Sequence, residues 1–283
     1  MSMGVVCFPD DGDNVQELIK KADIALYEAK KGGKNRIEFY DENVEATSFK
    51  RLDLEKNMRY ATTNSCQEFE VYYQPIVDIS KPGDPCSGAE ALIRWNSEAM
   101  GMISPSEFIP LAEYLGLINP IGSFALKEAC HRCKYWNDMG HPEYHVNVNL
   151  SVVQLLQNDM KEKVREVLEE TKMDPANLTL EVTESLAIND MKRMKKILSD
   201  IKSLGVKVAL EDFGTGYSSL NHIRELPIDI IKIDRCFIID IGKDEYAEAF
   251  VKMVSELAET IGVRICVEAV SYTHLTLPTI LLV

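Results

Sequence analysis

Ala209-Leu210-Glu211-Asp212-Phe213-Gly214-Thr215-Gly216-Tyr217-Ser218-Ser219-Leu220 is the stretch around which the chain reads as organised. It closes an apolar run, Val206-Lys207-Val208-Ala209-Leu210, which predicts a short buried strand. Two adjacent carboxylates follow, then two glycines that demand a tight turn. Paired acids at the C-terminal end of a strand can hold divalent metal, and a carboxylate bridging two ions sets up in-line attack on a phosphodiester. Taken alone, the stretch fits a solvated Asp turn before a Ser/Thr-capped helix equally well.

The rest of the 283 residues bounds the choice. Hydrophobic content of 46% and charged content of 27% are those of a soluble globular protein. No apolar run approaches the roughly 20 residues that span a bilayer, and the start carries no basic-then-apolar signal. The 7 cysteines are scattered and odd in number, which predicts reduced thiols and a cytoplasmic setting. Cys130 and Cys133 form a CxxC, but they sit in the amphipathic helical stretch Phe124–Trp136 with no second pair to complete a zinc site. A net charge of −14 repels nucleic acid polymers. An anionic ligand can still bind if bound cations reverse the local field.

Residues 1–43 read as the tail of a larger domain. Val15–Lys31 has helical apolar spacing and stops at Gly32-Gly33, and Arg36–Tyr40 reads as a strand. So few elements cannot build a core alone. Ser2-Met3-Gly4-Val5, Ala22–Lys30 and Gly33-Lys34-Asn35-Arg36 resemble the C-terminal end of the GGDEF (diguanylate cyclase) domain, without its signature loop. Residues 44–66 read as a polar connecting helix.

From residue 67 onward strands and helices alternate. Strands are predicted at 70–77, 88–95, 145–150, 178–182, 206–210, 228–233 and 263–267, with helices at 106–115, 124–139, 160–171, 190–204 and 247–261. Near-continuous apolar strands separated by helices predict an α/β fold, a parallel sheet covered by helices. Their number favours a TIM-like (β/α) barrel over an open doubly wound sheet, and no Gly-rich dinucleotide fingerprint follows any strand. Residues 271–283 carry no Lys, Arg, Asp or Glu and no helical period, and they resemble translated sequencing-adapter read-through. The sequence therefore predicts a native barrel ending near Val270, incomplete at its C-terminal end.

In such a barrel the C-terminal strand ends converge on one mouth. Here they carry Glu90, Asn149, Glu181 with Glu184, Glu211 with Asp212, Lys232 with Asp234, and Glu268. Unpaired buried charge is expensive, so a purely structural barrel has no use for this set. Its hard oxygen donors suit Mg²⁺ or Mn²⁺ rather than zinc.

Glu90-Ala91-Leu92-Ile93-Arg94-Trp95 matches the signature of the EAL family of cyclic di-GMP phosphodiesterases. Tyr73-Gln74-Pro75-Ile76-Val77, Phe108–Glu113, Val148-Asn149-Leu150-Ser151, Glu181–Ser185, Asp212–Leu220 and Lys232-Ile233-Asp234-Arg235 follow in family order across 67–270. The resemblance implies metal-dependent opening of cyclic di-GMP to linear pGpG. It implies that Glu90, Asn149, Glu181 and Glu211 hold one Mg²⁺ or Mn²⁺ and that Glu211 with Asp212 holds a second. Lys232 would stabilise developing charge near the attacking water, Glu268 would orient or deprotonate that water, and Glu184 would hold the substrate-covering loop. Gln74 and Arg94 match dinucleotide contacts, and Asp234 either joins them or positions Lys232. The resemblance also implies a homodimer through the EAL domain of an intact parent. A missing N-terminal region of that parent would carry its sensor or membrane anchor.

Three departures qualify the match. Glu211 stands where the family usually has Asp, moving a carboxylate by up to roughly 1.5 Å. A displacement of about 1 Å in a catalytic array can cost about 10²-fold. Glu268-Ala269-Val270-Ser271 replaces Glu-Gly-Val-Glu, and the closing Gln-Gly-Tyr motif is missing. A weakly stable, weakly active chain is expected from these departures. Two rivals remain at this point: a receptor that binds the dinucleotide without cleaving it, and a Schiff-base lyase using Lys232.

Overall fold

The computed structural model describes residues 2–31, 35–83, 85–184, 191–214 and 225–268, and the backbone of 279–282. Gly32-Gly33, Thr215–Leu220 and Ala269-Val270-Ser271 lie outside the described residues. The chain divides into two compact units, Met1–Thr63 and Asn64–Val283.

In the first unit, β1 (Met3–Val5) pairs in parallel with β2 (Ile37–Phe39), and α1 (Val15–Lys31) connects them. Asn14 starts α1 by accepting the Glu17 amide proton at 3.0 Å. Gly4 is required by close packing, because a Cβ there would meet the Ala22 carbonyl and the Leu26 amide at 2.3 Å. Helix α2 (Glu42–Thr63) completes the unit. Its Leu54, Met58 and Ala61 recur at helical spacing and are buried.

The second unit opens with a hairpin, β3 (Phe69–Asp78) antiparallel to β4 (Cys86–Ser97), with the short β5 (Gly101–Ile103) on its edge. Trp95 fixes this start. Its ring packs against Phe69 and Phe108 at 5.5 and 5.8 Å, and its indole N–H donates to Glu68 at 2.9 Å. After α3 (Pro105–Leu115) and α4 (Ile118–Asp138), the chain settles into strand–helix repeats. These are β6 (His145–Asn149), α5 (Val152–Leu155), α6 (Met160–Thr171), β7 (Leu178–Thr183), α7 (Met191–Lys202), β8 (Lys207–Phe213), β9 (Ile230–Ile233), α8 (Arg235–Ile239), α9 (Glu245–Ile261) and β10 (Arg264–Val267).

Strands β4, β6, β7, β8, β9 and β10 form one continuous parallel ladder. The barrel-type α/β sheet expected from the alternating pattern is therefore present, and these six parallel strands have their C-terminal ends at the same mouth. Apolar residues fill the layer between sheet and helices: Val146, Leu178, Leu180 and Val208 from strands meet Cys130, Val164, Leu198 and Val254 from helices. Cys130 and Cys133 belong to this packing, and burial pushes both thiols up to about 12. Such thiols are poor metal ligands or redox nucleophiles.

Two features differ from the sequence reading. The first strand is not parallel: β3 returns directly as β4, because residues 79–85 are too few for a helical crossover. The segment set aside as a tail also supplies a strand, β11 (Thr279–Leu282), antiparallel to β10 and parallel to β3. The interval 268–278 is likewise too short for a crossover, so the chain returns antiparallel and covers the two sheet edges that would otherwise be open. Ending the chain at residue 270 should therefore lower its Tm and broaden its thermal unfolding. An unchanged circular-dichroism melt would show that β11 contributes nothing to the barrel.

Candidate active site at the barrel mouth

Side chains alternate between faces along a strand, so residues two apart share a face. Glu90 on β4, Asn149 on β6, Glu181 on β7, Glu211 on β8, Lys232 on β9 and Glu268 after β10 meet inside the mouth. Lys232 is the hub. Its side chain is 0% exposed, and its ammonium lies 2.9 Å from Glu181, 3.1 Å from Glu90, 3.2 Å from Glu211 and 3.4 Å from Glu268. Asn149 donates to the second oxygen of Glu90 at 2.9 Å, and Asn147 donates to the second oxygen of Glu181 at 2.8 Å.

Glu211 and Asp212 are presented by an irregularity. Leu210 pairs with Ile231 and Phe213 with Ile233, so two residues of β8 stand opposite Lys232 alone. In a regular strand adjacent carboxylates would face opposite sides. The bulge, with Asp212 in the left-handed region at φ 57°, brings both toward the mouth. The turn is then locked by Gly214 at φ 97°, where a Cβ would lie 2.2 Å from Phe250 Cζ. The Gly214 amide donates to Glu184 at 2.9 Å, which ties the end of β7 to the end of β8.

The remaining expected residues surround this centre. Gln74 is half-buried directly opposite Glu90 in the β3–β4 register. Arg94 lies over the Tyr72 ring at 5.7 Å. It lines a cleft of about 230 Å³ together with Ile109, Ile118, Asn149, Glu181 and Glu211. The same cleft contains Ser151 donating to Glu113 at 2.5 Å. Asp234 caps α8 by accepting the Cys236 amide proton at 2.7 Å, and its charge acts on Asp212. Asn147 and the Glu113–Ser151 pair were not singled out in the sequence. Asn147 was legible, since it stands two residues before Asn149 on the same face of β6.

One ammonium cannot neutralise four carboxylates. Burial dominates Glu181 and pushes it up to about 8 despite Lys232, and burial likewise pushes Glu211 up to about 7. Burial raises Asp212, with Asp234 adding to it, and burial raises Glu268. Lys232 shows the opposite balance. Burial works against its charge, yet the carboxylates led by Glu181 hold its pKa well above the usual lysine value. The excess negative charge marks a place for a cation. Glu90, Glu181 and Glu211 offer oxygens all within 4.8 Å of one another, a donor set that fits a hard divalent ion.

The raised carboxylates make stability depend on pH. In the unfolded chain these groups release protons near 4.5, whereas in the folded protein Glu211 and Glu181 hold theirs to about 7 and 8. Their contribution is complete below the unfolded value and lost as pH rises through 7 to 8. The Tm in chelator should fall between pH 6 and 8.5, and Mn²⁺ should raise it more at pH 8.5 than at pH 6. An increment equal at both values, or larger at pH 6, would contradict this charge balance. Separately, Gly214→Ala should destabilise the fold by about 1–3 kcal/mol or more, from backbone strain and the clash with Phe250. An unchanged urea midpoint would refute the turn's role.

Comparison with known proteins gives this geometry a family. The EAL domain pattern matches residues 56–273, and that of the diguanylate cyclase GGDEF domain matches residues 1–36. The bifunctional diguanylate cyclase/cyclic di-GMP phosphodiesterase MucR of Pseudomonas aeruginosa is 37% identical over 269 residues, 95% of this chain and 39% of that protein. The cyclic di-GMP phosphodiesterase PdeR of Escherichia coli is 33% identical over 269 residues, 95% of this chain and 40% of that protein. The chain thus spans less than half the length of these relatives. Among solved structures, the PaMucR phosphodiesterase in complex with c-di-GMP is similar with a TM-score of 0.72 at 35% identity, covering 81% of this chain and 94% of that one. The EAL enzyme Bd1971 in its cAMP- and cyclic-di-GMP-bound form gives 0.73 at 26% identity, covering 93% and 68%. The chain belongs to the EAL-domain family.

Proposed function

We propose that the barrel mouth hydrolyses cyclic di-GMP to linear pGpG with the help of Mg²⁺ or Mn²⁺. The observation that carries this reading is the convergence of Glu90, Glu181, Glu211 and Glu268 on Lys232, beside a cleft lined by Arg94. The names of MucR and PdeR, and the bound dinucleotide of the PaMucR complex, support the choice of substrate.

In this reading Glu90, Asn149, Glu181 and Glu211 would hold one ion, and Glu211 with Asp212 would hold the other. Bound metal would acidify a water and offset charge on the phosphoryl oxygens. The protein's groups do the rest. Glu268, beside Lys232 at the rim, takes the proton of the attacking water. A new P–O bond forms from that water as the bond to the ribose 3′-oxygen breaks, and the leaving 3′-oxygen takes a proton from solvent to become a hydroxyl. The Lys232 ammonium stabilises the negative charge that builds up during the displacement. Arg94 and Gln74 hold the dinucleotide, Glu184 fixes the Gly214 turn, and Asp234 caps α8 and adds negative potential at Asp212. A homodimer through residues 67–270, an upstream sensor and a cytoplasmic setting belong to the same reading and rest on the family resemblance. Among the described residues, no helix is long and apolar enough to cross a membrane.

Glu211 already reaches Lys232 at 3.2 Å, so its extra methylene is absorbed locally. Turnover should therefore be detectable in the native chain and change by less than about 10²-fold in Glu211→Asp. Chromatography of pGpG formed with Mg²⁺ or Mn²⁺ checks this. Dinucleotide binding without turnover in the native chain, restored by Glu211→Asp, would replace the enzyme with a receptor.

A further inference from the structure

Beneath the carboxylates lies a second ring of inward-facing residues, each two positions further from the mouth along its strand: Ile76, Gly88, Asn147, Thr179, Ala209, Ile230 and Cys266. Ile76, Ala209, Ile230 and Cys266 pack together as a buried apolar cluster. Gly88 leaves no room for a side chain, since a Cβ would meet the His145 carbonyl at 2.2 Å. Asn147 and Thr179, neighbours in the β6–β7 register, are the polar members, at 2% and 0% exposure.

A buried amide in an apolar ring is costly unless something uses it. One end of Asn147 is used: its Nδ2 donates to Glu181 Oε1 at 2.8 Å, while Lys232 takes Oε2 at 2.9 Å. Among the described residues its Oδ1 has no hydrogen-bond partner, and neither has Thr179 Oγ1. In the ionised form of Glu181, the form that binds a cation, the amide cannot turn round to satisfy that oxygen, because its oxygen would then face a carboxylate that only accepts. Asn147 thus tolerates an unpaired acceptor in order to keep its donor on Glu181. The arrangement repeats one step higher on β6. There Asn149 donates to Glu90 Oε1 at 2.9 Å, and Lys232 takes Glu90 Oε2 at 3.1 Å.

We infer that Asn147 is a positioning residue that fixes the plane of the Glu181 carboxylate for cation binding. The inference rests on the metal-dependent reading of the site. With a donor on each oxygen, Glu181 has one orientation. Without Asn147, its Oε1 loses its donor inside the barrel and the carboxylate can rotate.

Two replacements separate this role from simple filling of space. Asn147→Leu keeps the branched shape and removes the donor, whereas Asn147→Ser loses volume and keeps a hydroxyl donor. Mn²⁺ affinity, followed by electron paramagnetic resonance with melting in chelator as the folding control, should fall about 10- to 100-fold in Asn147→Leu. Asn147→Ser should fall less, although it leaves the larger void. At saturating Mn²⁺, kcat for cyclic di-GMP should drop in Asn147→Leu with KM unchanged. Native Mn²⁺ affinity in the leucine chain, or in Asn147→Ala should the leucine chain not fold, overturns the inference. A serine chain weaker than the leucine chain also overturns it. A native chain that binds Mn²⁺ but leaves cyclic di-GMP intact would remove the proposed activity and leave the affinity comparison standing.

Discussion

The site depends on one buried ammonium. Lys232 is enclosed in the barrel, with four carboxylate oxygens at 2.9 to 3.4 Å. At such distances and an effective dielectric near 20, each ion pair is worth about 5 kcal/mol, while taking each ion out of water costs several kcal/mol. Repulsion among the carboxylates opposes the attraction at similar strength. A single lysine makes the cluster tolerable without balancing it. The imbalance appears as raised pKa values for Glu181 and Glu211, and the same imbalance makes the mouth a place for divalent cations.

Backbone geometry delivers those charges. Parallel strands bring their C-terminal ends to one side, and alternation sends every second side chain inward. Regular alternation would place only one of Glu211 and Asp212 at the mouth. The β8 bulge and the left-handed Asp212 bring both, and Gly214 makes the following turn possible against the stacked rings of Phe237 and Phe250, 3.9 Å apart. The Gly214 amide then holds Glu184. Local strain and the acids of the candidate site thus occupy the same few residues.

Much of this was legible in the sequence, because burial on both faces writes itself into strands as continuous apolar runs ended by acids. The runs ending at Glu181, Glu211 and Lys232 fell within a few residues of the observed strands. What escaped depended on pairing rather than pattern. The antiparallel start at β3 follows from a connection length, and the role of β11 follows from two open edges that no local composition reveals. Asn147 stood two residues before a more recognisable asparagine on the same face, but its hydrogen bond to Glu181, diagonal to its register partner Thr179, appears only in the folded site. Arg94 and Asp234 carried the right chemistry in the sequence, but their positions on the cleft wall and at the start of α8 needed the fold.

The central claim is that the carboxylates gathered on Lys232 form a divalent-cation site. Calorimetric titration of the metal-free chain with Mn²⁺, beside Glu181→Gln, tests it most directly. The account predicts saturable binding of Mn²⁺ by the native chain and its loss in Glu181→Gln, with both chains folded. A folded native chain that takes up no Mn²⁺, or a Glu181→Gln chain that binds it equally well, would contradict the account.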